Sequence, residues 1–127
     1  FDTTRHEDSV SLCKKYALFP DLEDWKGKIL LLESSENQPN PEKYRTMLKA
    51  LKKSGIFEVL SGVLVGKPMD ERYSKEYQEI LPEVIGNPTL PIVFNLNVGH
   101  ATPRAIIPFG IMAKVDVLAQ RISFTEA

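Results

Sequence analysis

The sequence contains a single cysteine in 127 residues, so no intrachain disulfide can form and no cysteine-rich zinc site can be assembled around Cys13. That usage fits a reducing compartment, and the cytoplasm is the expected location. Excess charge of either sign is also missing, with 16 Lys and Arg against 17 Asp and Glu for a net charge of -1. Without a basic stripe, nucleic acid is not an expected partner. No apolar run approaches the ~18 to 20 residues of a membrane span, and the start from Phe1 to Asp8 is charged where a signal peptide is apolar. No membrane partner is expected. Gly and Pro are few, at 7 and 9, and there is no repeat or low-complexity tract. What remains, 43% hydrophobic and 26% charged residues, suits one globular domain able to build its own core.

The apolar pattern alternates between strands and helices. Residues 1–17 read as a lead-in, with one or two helical turns over 9–16, and the domain proper covers 18–127. A polar turn over 21–27 precedes Lys28-Ile29-Leu30-Leu31-Leu32, a continuous apolar run of the kind found in strands buried on both faces. Asn40-Pro41 is a helix start, and Tyr44, Met47, Leu48 and Leu51 then fall on one helical face before Gly55 closes the segment. Residues 59–65 form the next strand. From Ser74, Tyr77, Ile80, Leu81, Val84 and Ile85 recur at helical spacing, with Pro82 expected to kink or divide the helix. A third strand over 91–97 leads into the loop 98–104. Residues 105–108, 111–118 and 121–125 then read as short antiparallel strands, turning at Phe109-Gly110 and Ala119-Gln120.

Strand, helix, strand, helix, strand implies right-handed crossovers and a parallel βαβαβ core, making the fold class α/β. Ligands of open α/β sheets bind beyond the carboxyl ends of the strands. Three loops qualify: 33–37, 66–67 and 97–104. Glu33 and His100, remote in sequence, are thereby brought to one edge. A carboxylate beside an imidazole is the acid and base of a nucleophilic triad, since the acid fixes the tautomer and stabilises the imidazolium. The nucleophile has no counterpart here. Ser34, Ser35 and Ser61 are serines by type only, none in a G-x-S-x-G elbow, and Cys13 has no motif around it. Gly66-Lys67 reads as a turn, because the rest of a phosphate-binding loop is missing. Asp2, His6, Glu7 and Asp8 match no metal-ligand spacing and read as a solvated terminus. No cofactor or metal is expected. Arg104 is the one nearby cation suited to a substrate carboxylate, against a plain surface or domain-interface role.

The succession Gly27-Lys28-Ile29-Leu30-Leu31-Leu32-Glu33-Ser34-Ser35-Glu36, Met47-Leu48, Ser61-Gly62-Val63-Leu64-Val65-Gly66-Lys67, Asn97-Val98-Gly99-His100-Ala101-Thr102-Pro103 and Ile107-Pro108-Phe109-Gly110 resembles the C-terminal domain of the LD-carboxypeptidase family of serine peptidases. This is the muramoyl-tetrapeptide carboxypeptidase and microcin-immunity group. The likeness covers roughly residues 18–126, and Gly99-His100 with Pro103 and Pro108-Phe109-Gly110 is its most specific part. It implies a swivelling β/β/α domain whose partner, an N-terminal domain, carries the Ser nucleophile and oxyanion hole. Glu33 would be the triad acid and His100 the general base. It implies further a metal-free cleavage of the amide before a terminal D-amino acid in cytoplasmic murein recycling, or of a peptidyl-nucleotide antibiotic, by a protein that tends to form homodimers. Residues 1–17 do not match the Gly-Asn-rich segment that usually precedes the domain, and the Ser domain has no counterpart, so the chain alone is expected to be inactive. Two other readings are a non-catalytic α/β binding or interaction module, and an independent hydrolase using Ser34 or Ser35.

Overall fold

The computed structural model describes residues 11–13, 15, 16 and 19–126. Of the helical turns expected over 9–16, residues 11–13 and 15 are helical, while Ser9 and Val10 lie outside the described residues. So do Asp2, His6, Glu7 and Asp8. The elements are α1 (Leu22–Trp25), β1 (Ile29–Leu32), α2 (Pro41–Lys53), β2 (Gly62–Gly66), α3 (Ser74–Ile85), β3 (Ile92–Leu96), β4 (Met112–Asp116) and β5 (Arg121–Thr125). β1, β2 and β3 form a parallel sheet in that order, and β4 pairs antiparallel with β5 in a separate two-stranded sheet. The α/β class holds.

Sequential parallel strands joined by right-handed crossovers place both connecting helices on the same face. α2 and α3 accordingly pack together over one side of the sheet. The alternation along β2 shows the consequence: Val63 and Val65 join the helix-covered core with Tyr44, Leu48, Tyr77, Leu81 and Ile85, while Leu64 faces the other side. On that side Val115 and Val117 of the β4–β5 hairpin face Leu64, Pro91 and Val93 across two open apolar clefts of about 230 and 320 Å³. Ile56, Phe57, Leu81, Ile85 and Val63 are the most deeply buried side chains, each contributing about 1.5–3 kcal/mol by burial.

Local chemistry accounts for the helix ends. The Asn40 side chain accepts from the Lys43 amide at 2.9 Å, and Pro41 takes the first-turn position where its missing N–H costs nothing. Gly55, at φ +81°, then turns the chain out of α2. Lys49, Lys52 and Lys53 lie exposed on the outer face, toward the negative end of the helix dipole.

Six expectations need correcting in detail. α3 runs undivided through Pro82. Pro82 lies on the exposed face, so the carbonyl its ring leaves unbonded remains open to water. β1 is half-buried rather than buried on both faces, because strand order puts it at an edge and reserves the centre for β2. The polar stretch 21–27 contains a single helical turn, Leu22–Trp25, favoured by Glu23 and Asp24 at its start. β2 begins at Gly62, since Ile56–Glu58 form a 3₁₀ turn that buries Ile56 and Phe57. Finally, 105–108 is not a strand. Ile106 is 96% exposed, Pro108 cannot donate to a ladder, and no neighbouring strand pairs with the segment. The following strand shortens to Met112–Asp116, with the turn at 117–120 closed by Asp116 Oδ1 accepting from the Ala119 amide at 2.9 Å.

Tyr44 of α2 stacks on Tyr77 of α3 with ring centroids 3.9 Å apart, and the Tyr77 hydroxyl donates to the Pro39 carbonyl. Burial raises both phenols above the ordinary range, each assisted by a neighbouring tyrosine. A raised phenol pKa means the folded state holds its proton more tightly than the unfolded chain. The associated stability is therefore fully present below about pH 10 and falls as pH rises beyond it. Tyr44→Phe should melt within about 1 kcal/mol of wild type at pH 7 and lose less stability between pH 9.5 and 11.5. Parallel melting curves of the two chains across that range, checked by circular dichroism, would contradict this.

Candidate functional site

The carboxyl ends of β1, β2 and β3 point to one edge, where the loops after each strand meet. Glu33 is the first residue beyond β1, and His100 lies in the loop beyond β3. Two glycines allow these loops to close. A Cβ on Gly66, the last residue of β2, would lie 2.8 Å from the Val98 carbonyl oxygen and 3.5 Å from the Glu33 Cβ. A Cβ on Gly99 would collide with Glu33 Oε2 and lie 3.3 Å from the Glu33 Cβ. The Glu33 carboxylate thus rests against the bare α-carbon next to His100. Gly99 also adopts φ +87°, which side-chain-bearing residues rarely enter.

The loop carrying His100 is held at both ends. Val98 and Ala101 are buried on either side of Gly99-His100, the Val98 amide donates to the Leu96 carbonyl at 2.8 Å, and the Ala105 amide donates to the Asn97 carbonyl at 2.6 Å. A bulge in β3 sets its approach. Leu64 pairs with Val93 and Gly66 with Leu96, so two residues of β3 oppose one of β2, and Asn95 takes the left-handed conformation at φ +63°.

His100 Nε2 lies 3.1 Å from Glu36 Oε2, an ion pair when the ring is protonated, while its Nδ1 is buried without a hydrogen-bond partner. Glu33 and His100 therefore share an edge, but among the described residues the acid that meets the imidazole is Glu36. Glu36 was not singled out from the sequence. A lone Glu in a polar loop carries no local signal, and its partner becomes visible only when the β1 and β3 loops are brought together.

The loop bearing Glu36 is braced on its far side. The Gln38 amide donates to Asp70 Oδ2 at 3.0 Å, and Arg72 donates to Gln38 Oε1 and to the Tyr73 hydroxyl, both at 3.1 Å. Gln38, Asp70, Glu71 and Tyr73 all have positive φ, so this brace holds backbone that costs free energy to keep. Ser61 lies at the opposite end of the sheet, where its hydroxyl donates to the Gly27 and Lys28 carbonyls at 2.9 and 3.1 Å. Ser34 and Ser35 follow Glu33 directly, and Arg104 is exposed. Cys13 is a free, half-buried thiol. Among the described residues no group of three His, Cys, Asp or Glu side chains is arranged to hold a metal ion, and no helix is long and apolar enough to cross a membrane.

The fold and this edge define an α/β domain with acidic residues and an imidazole at the carboxyl end of a three-stranded parallel sheet. Residues 8–115 match the family model of the LD-carboxypeptidase C-terminal domain, and the chain belongs to that family. It is also similar to an MccF-like protein from Streptococcus pneumoniae, solved in complex with AMP, at 58% sequence identity and a TM-score of 0.90. The match covers 98% of this chain and 36% of that one, so the chain spans about a third of its relative's length. No curated protein matches the chain.

Gly99→Ala tests the close approach. The left-handed backbone should cost about 1–2 kcal/mol, with a further loss as the new methyl drives the Glu33 carboxylate away. In a Glu33→Ala background, which keeps only the Cβ contact at 3.3 Å, most of that further loss should disappear. Equal destabilisation by Gly99→Ala in the two backgrounds, read from urea denaturation, would show that Glu33 does not press on this position.

Proposed function

We propose that this chain supplies the acid and base of a serine hydrolase whose nucleophile and oxyanion hole lie in an N-terminal domain of the same protein. The observation that supports this reading is the seating of Glu33 against Gly99, the residue preceding His100, in a member of the LD-carboxypeptidase C-terminal domain family. In the proposed reaction His100 Nε2 takes the proton of the serine hydroxyl as its oxygen attacks the amide carbon, and Glu33 orients the ring through Nδ1. The C–N bond then breaks, and the same proton passes to the leaving amine. Water, deprotonated by His100, cleaves the resulting ester and returns the serine. The role for Glu33 is supported by its position against the residue preceding His100, and it requires the carboxylate to close on the buried Nδ1.

Two substrates fit the reading: a peptide ending in a D-amino acid, as in murein recycling, and a peptidyl-nucleotide. The AMP bound to the similar MccF-like protein favours the second. The reaction would take place in the cytoplasm, in a protein we expect to form homodimers. A non-catalytic α/β module is the alternative, favoured by the absence of a direct Glu33–His100 hydrogen bond among the described residues.

In the protein extended to include the upstream domain, Glu33→Ala and His100→Ala should each lower kcat by at least ~10³, as expected for members of a triad. The assay follows release of a terminal D-amino acid from a murein tetrapeptide, and of the nucleotide product from a peptidyl-nucleotide. Near-wild-type rates for His100→Ala on both substrates would refute the assignment. The 127-residue chain alone should not label with a fluorophosphonate probe, and labelling at Ser34 or Ser35 would instead make it an independent hydrolase.

A further inference from the structure

The two nitrogens of His100 sit in unlike surroundings. Nε2 is 3.1 Å from the Glu36 carboxylate, and Nδ1 is buried without a partner. A carboxylate this close favours a proton on the ring nitrogen that faces it, because an Nε2 lone pair there would be repelled by the negative charge. In the neutral ring the lone pair then resides on Nδ1, on the inward side. A general base working at the edge of the domain needs the reverse arrangement, with the lone pair on Nε2 and the proton on Nδ1, held by an acceptor. The contact with Glu36 therefore favours the tautomer opposite to the one the proposed reaction uses.

We propose that Glu36 is a positioning residue acting through His100: it keeps the proton on Nε2 at rest and gives up its place when the nucleophile's hydroxyl arrives. The inference rests on the reading of His100 as the base. Exposure supports a contact that can be exchanged, because the His100 and Glu36 side chains are 39% and 62% accessible. An electrostatic contact this open biases an equilibrium by about 1.5- to 5-fold, the range of exposed charge pairs. That suffices to favour one tautomer and is weak enough for an incoming hydroxyl to displace. Glu36 is an exposed acid on the polar loop after β1, whereas Glu33 is wedged against Gly99. The two acids thus differ in setting, one open to exchange with an incoming group and the other packed against the residue that precedes His100.

The tautomer can be read from the ¹⁵N chemical shifts of His100 in the 127-residue chain, above the pH at which the ring is protonated. Wild type should hold the proton mainly on Nε2. Glu36→Ala should shift the ratio about 1.5- to 5-fold toward Nδ1–H, with Glu36→Gln, which keeps an acceptor, falling between. A predominance of Nδ1–H in wild type, or an unchanged ratio in Glu36→Ala, would overturn the proposal. In the protein carrying the upstream domain, Glu36→Ala should raise kcat/KM by the same 1.5- to 5-fold, and an unchanged or lower value would also overturn it. The two levels separate cleanly. If Glu36→Ala moves the tautomer while His100→Ala remains active, the catalytic reading fails and the contact stands; if His100→Ala is inactive and the tautomer does not move, the role of Glu36 fails alone.

Discussion

Two missing side chains govern how closely the strand ends can converge. At Gly66 a methyl group would press on the Val98 carbonyl, and at Gly99 it would occupy the space of the Glu33 carboxylate. Parallel strands lie ≈ 4.8 Å apart, and the loops leaving them ordinarily diverge to make room for side chains. Here the loop after β3 instead folds back over the end of β2 and meets the residue that ends β1. Every contact at the edge depends on that closure: the seating of Glu33, the direction of His100 and the encounter of His100 with Glu36.

The remainder of the fold supplies rigidity to this edge. β2 is buried along its whole length, and both helices cover the same side of the sheet. The strand ends therefore project from a packed layer rather than from mobile chain. The β3 bulge at Asn95, the buried anchors Val98 and Ala101, and the Gln38–Asp70–Arg72 brace each fix one of the converging loops. Strained backbone concentrates here, with left-handed residues at 38, 70, 71, 73, 95 and 99, as is common where geometry serves a site rather than the core. The opposite face of the sheet, under the β4–β5 hairpin, is looser and more open, and the clefts there are not lined by Glu33, Glu36 or His100.

The polar inventory of the site is incomplete in a chemically specific way. It contains acids and an imidazole whose buried Nδ1 has no hydrogen-bond partner, and among the described residues no serine hydroxyl is hydrogen-bonded to that ring. The domain corresponds to about a third of the MccF-like relative's length, and under the proposed function a second module provides the nucleophile. On that proposal the base rests in one tautomer until the second half arrives, because protonation at either ring nitrogen depends on which neighbour is present.

Much of this was legible in the amino-acid order. The Asn40-Pro41 cap, the stripe of Tyr44, Met47, Leu48 and Leu51, and the alternation of apolar runs with helical spacing are local signals, and they suffice for the α/β class and the parallel core. Right-handed crossover chirality carries the inference further, placing Glu33 and His100 at one edge without coordinates. Strand length and depth were less accessible, since an apolar run such as 29–32 looks the same at an edge as at the centre, and 105–108 has strand-like residues but no neighbour to pair with. The partner of His100 lay beyond sequence altogether. Whether Glu33 or Glu36 reaches an imidazole more than sixty residues away depends on distances of a few ångströms, set by packing at two glycines, and only the tertiary structure decides such distances because no local propensity encodes them.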